Sequence, residues 1–92
     1  MGKKLETPRI GPKMTMVAWY VWRHPGCVKY HAAEFAAPGA DKGSPGIGFG
    51  YASVNRAVSA GLVRAERKGT RYALYLTAAG RAHVKKRFGV NA

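Results

Sequence analysis

The chain has 92 residues, enough for one domain and too few for a second core. Hydrophobic residues make up 47% and aromatics 11%, which excludes a disordered polar tail. Sixteen Lys and Arg stand against four Asp and Glu, a net charge of +12 that repels itself unless a polyanion is near. Nucleic acid is therefore the expected partner, with an anionic membrane surface or an acidic protein as rivals.

Residues 1–13 carry Lys3, Lys4, Arg9 and Lys13 between Pro8 and Pro12, with no apolar period. They read as a flexible basic N-terminal arm, able to touch phosphates or a minor groove. The folded domain is expected over 14–88, followed by a short tail over 89–92. Thr15 is placed to cap a first helix over 16–23, with Val17, Tyr20 and Val21 on one apolar face and Trp19 and Trp22 on the next. His24-Pro25-Gly26 stops it. A second, Ala-rich helix is expected over 28–37, with Val28, Ala32, Phe35 and Ala36 at helical spacing. The Gly- and Pro-dense run over 38–48 predicts a long loop, mobile in the absence of a partner.

The third helix is expected over 51–60. Tyr51, Val54, Ala57 and Val58 gather on one side of it, and Ala52, Asn55, Arg56 and Ser59 on the other. Gly61 ends it in a left-handed conformation. Two strands over 62–67 and 71–77 then flank Lys68-Gly69-Thr70 as a β-hairpin. In the second strand Tyr72, Leu74 and Leu76 alternate with Arg71, Ala73 and Tyr75. Thr77 caps a last helix over 78–88, with Ala79, Ala82, His83 and Val84 available for packing and Lys85-Lys86-Arg87 complementing its dipole.

The order of helix, helix, loop, helix, hairpin and helix gives a mainly α fold with a small β-hairpin, an α+β class. The stretch Ser53-Val54-Asn55-Arg56-Ala57-Val58-Ser59-Ala60-Gly61-Leu62-Val63-Arg64 resembles the end of a recognition helix running into a wing. Leu76-Thr77-Ala78-Ala79-Gly80-Arg81, after the strand that starts at Arg71, resembles the start of the helix that follows a wing. The pattern over 53–84 is similar to the winged helix-turn-helix transcriptional regulators of the MarR and PadR type, here in a minimal single-domain version. The resemblance implies double-stranded DNA as partner, helix 51–60 in the major groove, and the hairpin on the backbone or in a minor groove. The small size further suggests a minimal transcriptional regulator or an accessory factor of a mobile element or phage. Residues 55–92 hold nine basic groups against one acid, so +8 of the charge lies on the part that would face a duplex.

The expected DNA-binding set is Tyr51, Ser53, Asn55, Arg56, Ser59, Arg64, Arg67, Lys68 and Arg71. Asn55 and Arg56 can make bidentate contacts to adenine and guanine edges. Tyr51, Ser53 and Ser59 could position the helix on phosphates, and the hairpin cations could follow the backbone. A homodimer could form through the first or last helix.

Other readings compete. A winged helix can serve as an adaptor for a partner protein, with Trp19, Trp22, Phe49 and Tyr51 as aromatic anchors. RNA could stack on Phe49, Tyr51 or Tyr75. His24-x2-Cys27-x3-His31 is the one local cluster with metal-ligand or nucleophile character, and it lacks a fourth ligand or a carboxylate partner. The carboxylates Glu6, Glu34, Asp41 and Glu66 are scattered, so no acid/base pair, metal site or cofactor site is expected. Gly46-x-Gly48-x-Gly50 is not a nucleotide fingerprint, because no strand precedes it and no Gly-Lys-Ser/Thr follows. The apolar run over 14–22 is too short to span a bilayer, and a lone Cys27 fits a reducing compartment. A cytoplasmic, nucleoid-associated protein with no membrane partner is expected.

Overall fold

The computed structural model describes residues 10–37 and 47–92. Over these, α1 (Pro12–Arg23), β1 (Cys27–Val28), α2 (Lys29–Ala36), α3 (Ile47–Ser59), β2 (Val63–Lys68), β3 (Arg71–Leu76) and α4 (Ala78–Phe88) follow in that order. The class is α+β, as expected. Most of the basic arm (1–9) and most of the expected mobile loop (38–46) lie outside the described residues.

α1 begins at Pro12, so the arm is shorter than 1–13 and Thr15 is not the cap. Proline lacks the N–H that a first turn leaves unpaired, and its fixed φ suits that position. Gly11 takes the cap position with extended backbone. Thr15 is buried inside the helix instead. Its hydroxyl donates to the Gly11 carbonyl at 3.1 Å and lies 2.9 Å from His83 Nε2, tying α1 to α4.

The chain then makes a short strand that takes in Val28, expected as the first residue of the second helix. Cys27 and Val28 pair antiparallel with Leu74 and Ala73, and Gly26 N–H donates to the Leu74 carbonyl at 2.8 Å. The sheet is therefore three-stranded, in the order β1-β3-β2, rather than a bare hairpin. β2 and β3 pair from Val63↔Leu76 to Lys68↔Arg71, closed by a turn at Gly69 and Thr70.

Val17 and Val21 of α1, Ala32, Ala33 and Ala36 of α2, Val54 and Ala57 of α3, and Leu62, Val63 and Leu74 form the core. The small side chains of α2 let α3 come close: a Cβ built on Gly50 would stand 2.0 Å from the Ala33 carbonyl oxygen. α3 thus starts at Ile47, four residues before the expected Tyr51, and takes Gly48 into the helix. Gly61, with φ 80°, turns the chain out of α3 in the expected left-handed conformation.

α4 spans the expected residues, and Thr77 Oγ1 accepts a bond from Gly80 N–H at 3.0 Å. The Thr77 hydroxyl also faces the carbonyls of Gly61 and Leu62, and its N–H donates to Leu62 O at 3.1 Å. A Cβ on Gly80 would stand 2.0 Å from that same Leu62 carbonyl oxygen. The Leu76-Thr77-x-x-Gly80 pattern is therefore a joint that locks α4 onto the exit from α3. Ala79 and Ala82 are exposed, contrary to expectation, because α4 rests on the narrow ridge of Gly80 and Val84 with His83 beside it. Thr77→Val should cost about 1–2 kcal/mol, the usual penalty for losing an N-cap. It should appear as a lower urea midpoint at unchanged slope, and an unaltered midpoint would refute the joint.

Candidate nucleic-acid interface

α3 buries Val54, Ala57 and Gly50 and turns Gly48, Asn55, Arg56 and Ser59 outward, with Ala52 half-exposed between them. The outward strip is narrow and small-sided. Tyr51 and Arg56 flank it on opposite edges. Arg56 lies beside Gly11, Pro12, Lys13 and Met14 at the start of α1, where the five residues line one shallow depression. Tyr51 faces the other way, towards α2 and the hairpin turn: Lys29 Nζ is 6.0 Å from its ring centre and 5.7 Å from that of Tyr72.

Ser53 leaves the expected set. It is 3% exposed, and its hydroxyl donates to the Phe49 carbonyl at 3.0 Å, so it cannot reach a phosphate. Its position four residues after Phe49 puts it against the helix's own backbone, a common outcome for a serine inside a helix. Phe49 itself is 68% exposed.

The hairpin cations divide between two faces. In an antiparallel ladder directly opposed residues share a face. Arg64 with Tyr75, Glu66 with Ala73, and Lys68 with Arg71 therefore point away from the core. There Arg64 pairs with Glu66 at 2.7 Å, and Lys68 lies 3.9 Å from the same carboxylate. Both cations also stand over the Tyr75 ring, at 5.2 and 5.8 Å from its centre. These are exposed ion pairs, which constrain the side chains more than they stabilise the fold. Arg67 shares the other face with Tyr72, and its Nε donates to the Gly69 carbonyl at 3.2 Å. The sequence alternation set Tyr72 on one face of its strand with Leu74 and Leu76. It lies on the same face, but it is 44% exposed because it sits two residues nearer the hairpin turn than the core-covered Leu74.

Tyr51, Lys29 and Tyr72 meet in a cleft of about 390 Å³, together with Tyr30, His31 and Arg71. Lys29 and Tyr30 escaped the sequence reading, and Tyr72 was read only as a strand position. The only signal for the first two was a lysine and a tyrosine at the start of a helix, which by itself marks an ordinary solvated first turn.

The proposed His24, Cys27 and His31 trio does not converge. His24 packs on Tyr20 with ring centres 4.5 Å apart, His31 packs on Tyr30 at 5.9 Å, and burial pushes the Cys27 thiol above its ordinary pKa. Among the described residues no three His, Cys, Asp or Glu side chains are placed to hold a metal ion. No helix among them is long and apolar enough to cross a membrane.

The fold and this surface define a small, strongly basic α+β domain with an exposed polar helix beside an arginine-bearing hairpin. No family model, curated protein or solved structure matches the chain.

Proposed function

We propose that the protein binds duplex DNA as a minimal winged helix, α3 in the major groove and the β2–β3 hairpin on the backbone or in a minor groove. Its role would be that of a small transcriptional regulator or an accessory factor of a mobile element. The observation that carries this reading is the outward strip of α3. Gly48, Ala52 and Ser59 leave room for close approach, and Asn55 and Arg56, the two side chains suited to bidentate base contacts, stand together on it. Arg67 and Arg71 supply charge at the hairpin end, on the side of α3 away from Arg56.

Arg56→Ala and Arg67→Ala test the division of labour. Arg56→Ala should cost roughly 1–3 kcal/mol at a preferred site and relax its specificity. Arg67→Ala should weaken binding to all duplexes alike and lower the salt slope by about one. Both side chains are exposed, so melting temperatures should stay close to wild type. Full retention of affinity by both variants would remove the groove-and-wing arrangement.

One observation favours a second reading, an adaptor that binds a protein. Met16 and Trp19 of α1, Phe35 of α2 and Phe88 of α4 line an open apolar groove, with Trp19 stacked on Phe35 at 5.7 Å. It joins the two helices expected to serve a homodimer. On this reading Phe88→Ala abolishes partner binding and both arginine variants keep it.

A further inference from the structure

The cleft between α2, α3 and the hairpin turn is not explained by an α3 that lies in a groove. Lys29, Tyr30, His31, Tyr51, Arg71 and Tyr72 line it, together with Val28 and Thr70. Three phenol rings and the Lys29 ammonium converge there, and among the described residues no carboxylate lines it. The Lys29 ammonium stands over two of the rings, and Tyr30 and Tyr51 have their ring centres 6.4 Å apart. Such a wall offers flat π surface to a planar group and positive charge to an anion at its edge. The volume of about 390 Å³ lies near the lower end of small-ligand sites, which run from roughly 300 to 1,000 Å³.

One nucleotide is a ligand of that size that is planar, aromatic and anionic. We infer that the cleft holds a single unpaired nucleotide, its base stacked among Tyr30, Tyr51 and Tyr72 and its phosphate on Lys29. A base inside a duplex hides both faces in the stack, so a base from a strand must be extrahelical or single-stranded to enter. Stacking on tyrosine tolerates any base, because every base has a π face. The cleft therefore adds recognition of strand structure, not of sequence, beside the face assigned to the duplex. Where the nucleotide belongs to a DNA strand the inference rests on the duplex-binding reading; a free nucleoside monophosphate would use the same chemistry without it.

Fluorescence anisotropy at one fixed low salt concentration, with the full chain, separates these cases. The probes are a fully paired duplex and the same duplex with one extra, unpaired adenosine. Adenosine 5′-monophosphate is titrated separately and followed by tyrosine fluorescence. The bulged duplex should bind about tenfold tighter than the paired one. Tyr72→Ala and, independently, Tyr30→Ala should erase that preference and leave the paired duplex unaffected. Both rings are among the exposed hydrophobic side chains, so folding is preserved, with melting temperature as the check.

A saturable, Tyr72-dependent response to adenosine 5′-monophosphate without any bulge preference would place the source in free nucleotide. Equal affinity for both duplexes together with no response to the nucleotide would overturn the cleft while leaving duplex binding intact. A bulge preference that survives both tyrosine changes would overturn its location. A nucleotide response in a protein that binds no paired duplex would sink the duplex reading and leave the cleft.

Discussion

Affinity for random duplex DNA should fall about a thousandfold between 50 and 200 mM salt. Neutralising about six phosphates gives a slope of log K against log salt near −5, and a fourfold rise in salt then multiplies to that loss. Lys13, Lys29, Arg56 and Arg67, with Lys68 and Arg71 at the hairpin end on the opposite face of the sheet, make up six cations. Glu66 is the one carboxylate on the hairpin, and it already engages Arg64 and Lys68 on the outer face. Titrations at four salt concentrations check this. A slope near zero, or no binding at low salt, would rule out the electrostatic part of the proposed function and leave the apolar groove of α1, α2 and α4 as the better partner surface.

Gly50→Ala should lower stability by about 3 kcal/mol, at the upper end of the usual cost of overpacking. The added methyl would meet the Ala33 carbonyl oxygen at 2.0 Å and its carbon at 2.7 Å, with the Ala37 methyl at 3.1 Å. The first two are backbone atoms inside α2, so neither can swing aside and the two helices must separate. Alanine's better helix propensity returns at most about 1 kcal/mol. For a domain of this length the melting temperature should drop by more than about 10 °C. Gly48→Ala is the matched control. It lies one half-turn earlier in the same helix, with no described residue within 4 Å of its added methyl, so it should be neutral or mildly stabilising. Similar melting temperatures for both variants would refute the close α2–α3 crossing. That crossing sets the angle at which α3 presents Asn55 and Arg56, so Gly50→Ala should also weaken DNA binding beyond its effect on folding.

The parts of the fold legible in the sequence are those written in signals a few residues long. Thr77 caps α4 through a bond to the N–H three residues on, Gly61 ends α3 with a positive φ, and Gly69 closes the hairpin. Each rests on one side chain or one missing Cβ acting on its immediate neighbours, so composition and spacing suffice. The outward face of α3 is legible for the same reason: helical spacing separates Asn55, Arg56 and Ser59 from Val54 and Ala57.

Tertiary structure decided the rest, wherever partners lie far apart along the chain. Cys27 and Val28 become a strand only because Leu74 and Ala73 offer them an edge, and two residues carry too little local preference to announce it. Thr15 looked like a cap, but Pro12 starts the helix, and the buried hydroxyl donates to the Gly11 carbonyl and lies beside His83. Ser53 looked outward in a polar stretch, but the crossing at Gly50 and Ala33 draws that side of α3 inward. Arg64 and Lys68 were one group with Arg67 on paper, and the pleat sends them to opposite faces of the sheet. The tyrosine-lined cleft is the extreme case: its walls come from the start of α2, the middle of α3 and the turn-side end of β3. Local chemistry writes caps, turns and helix faces into the sequence. A surface shared by three distant segments exists only once long-range packing has closed the chain.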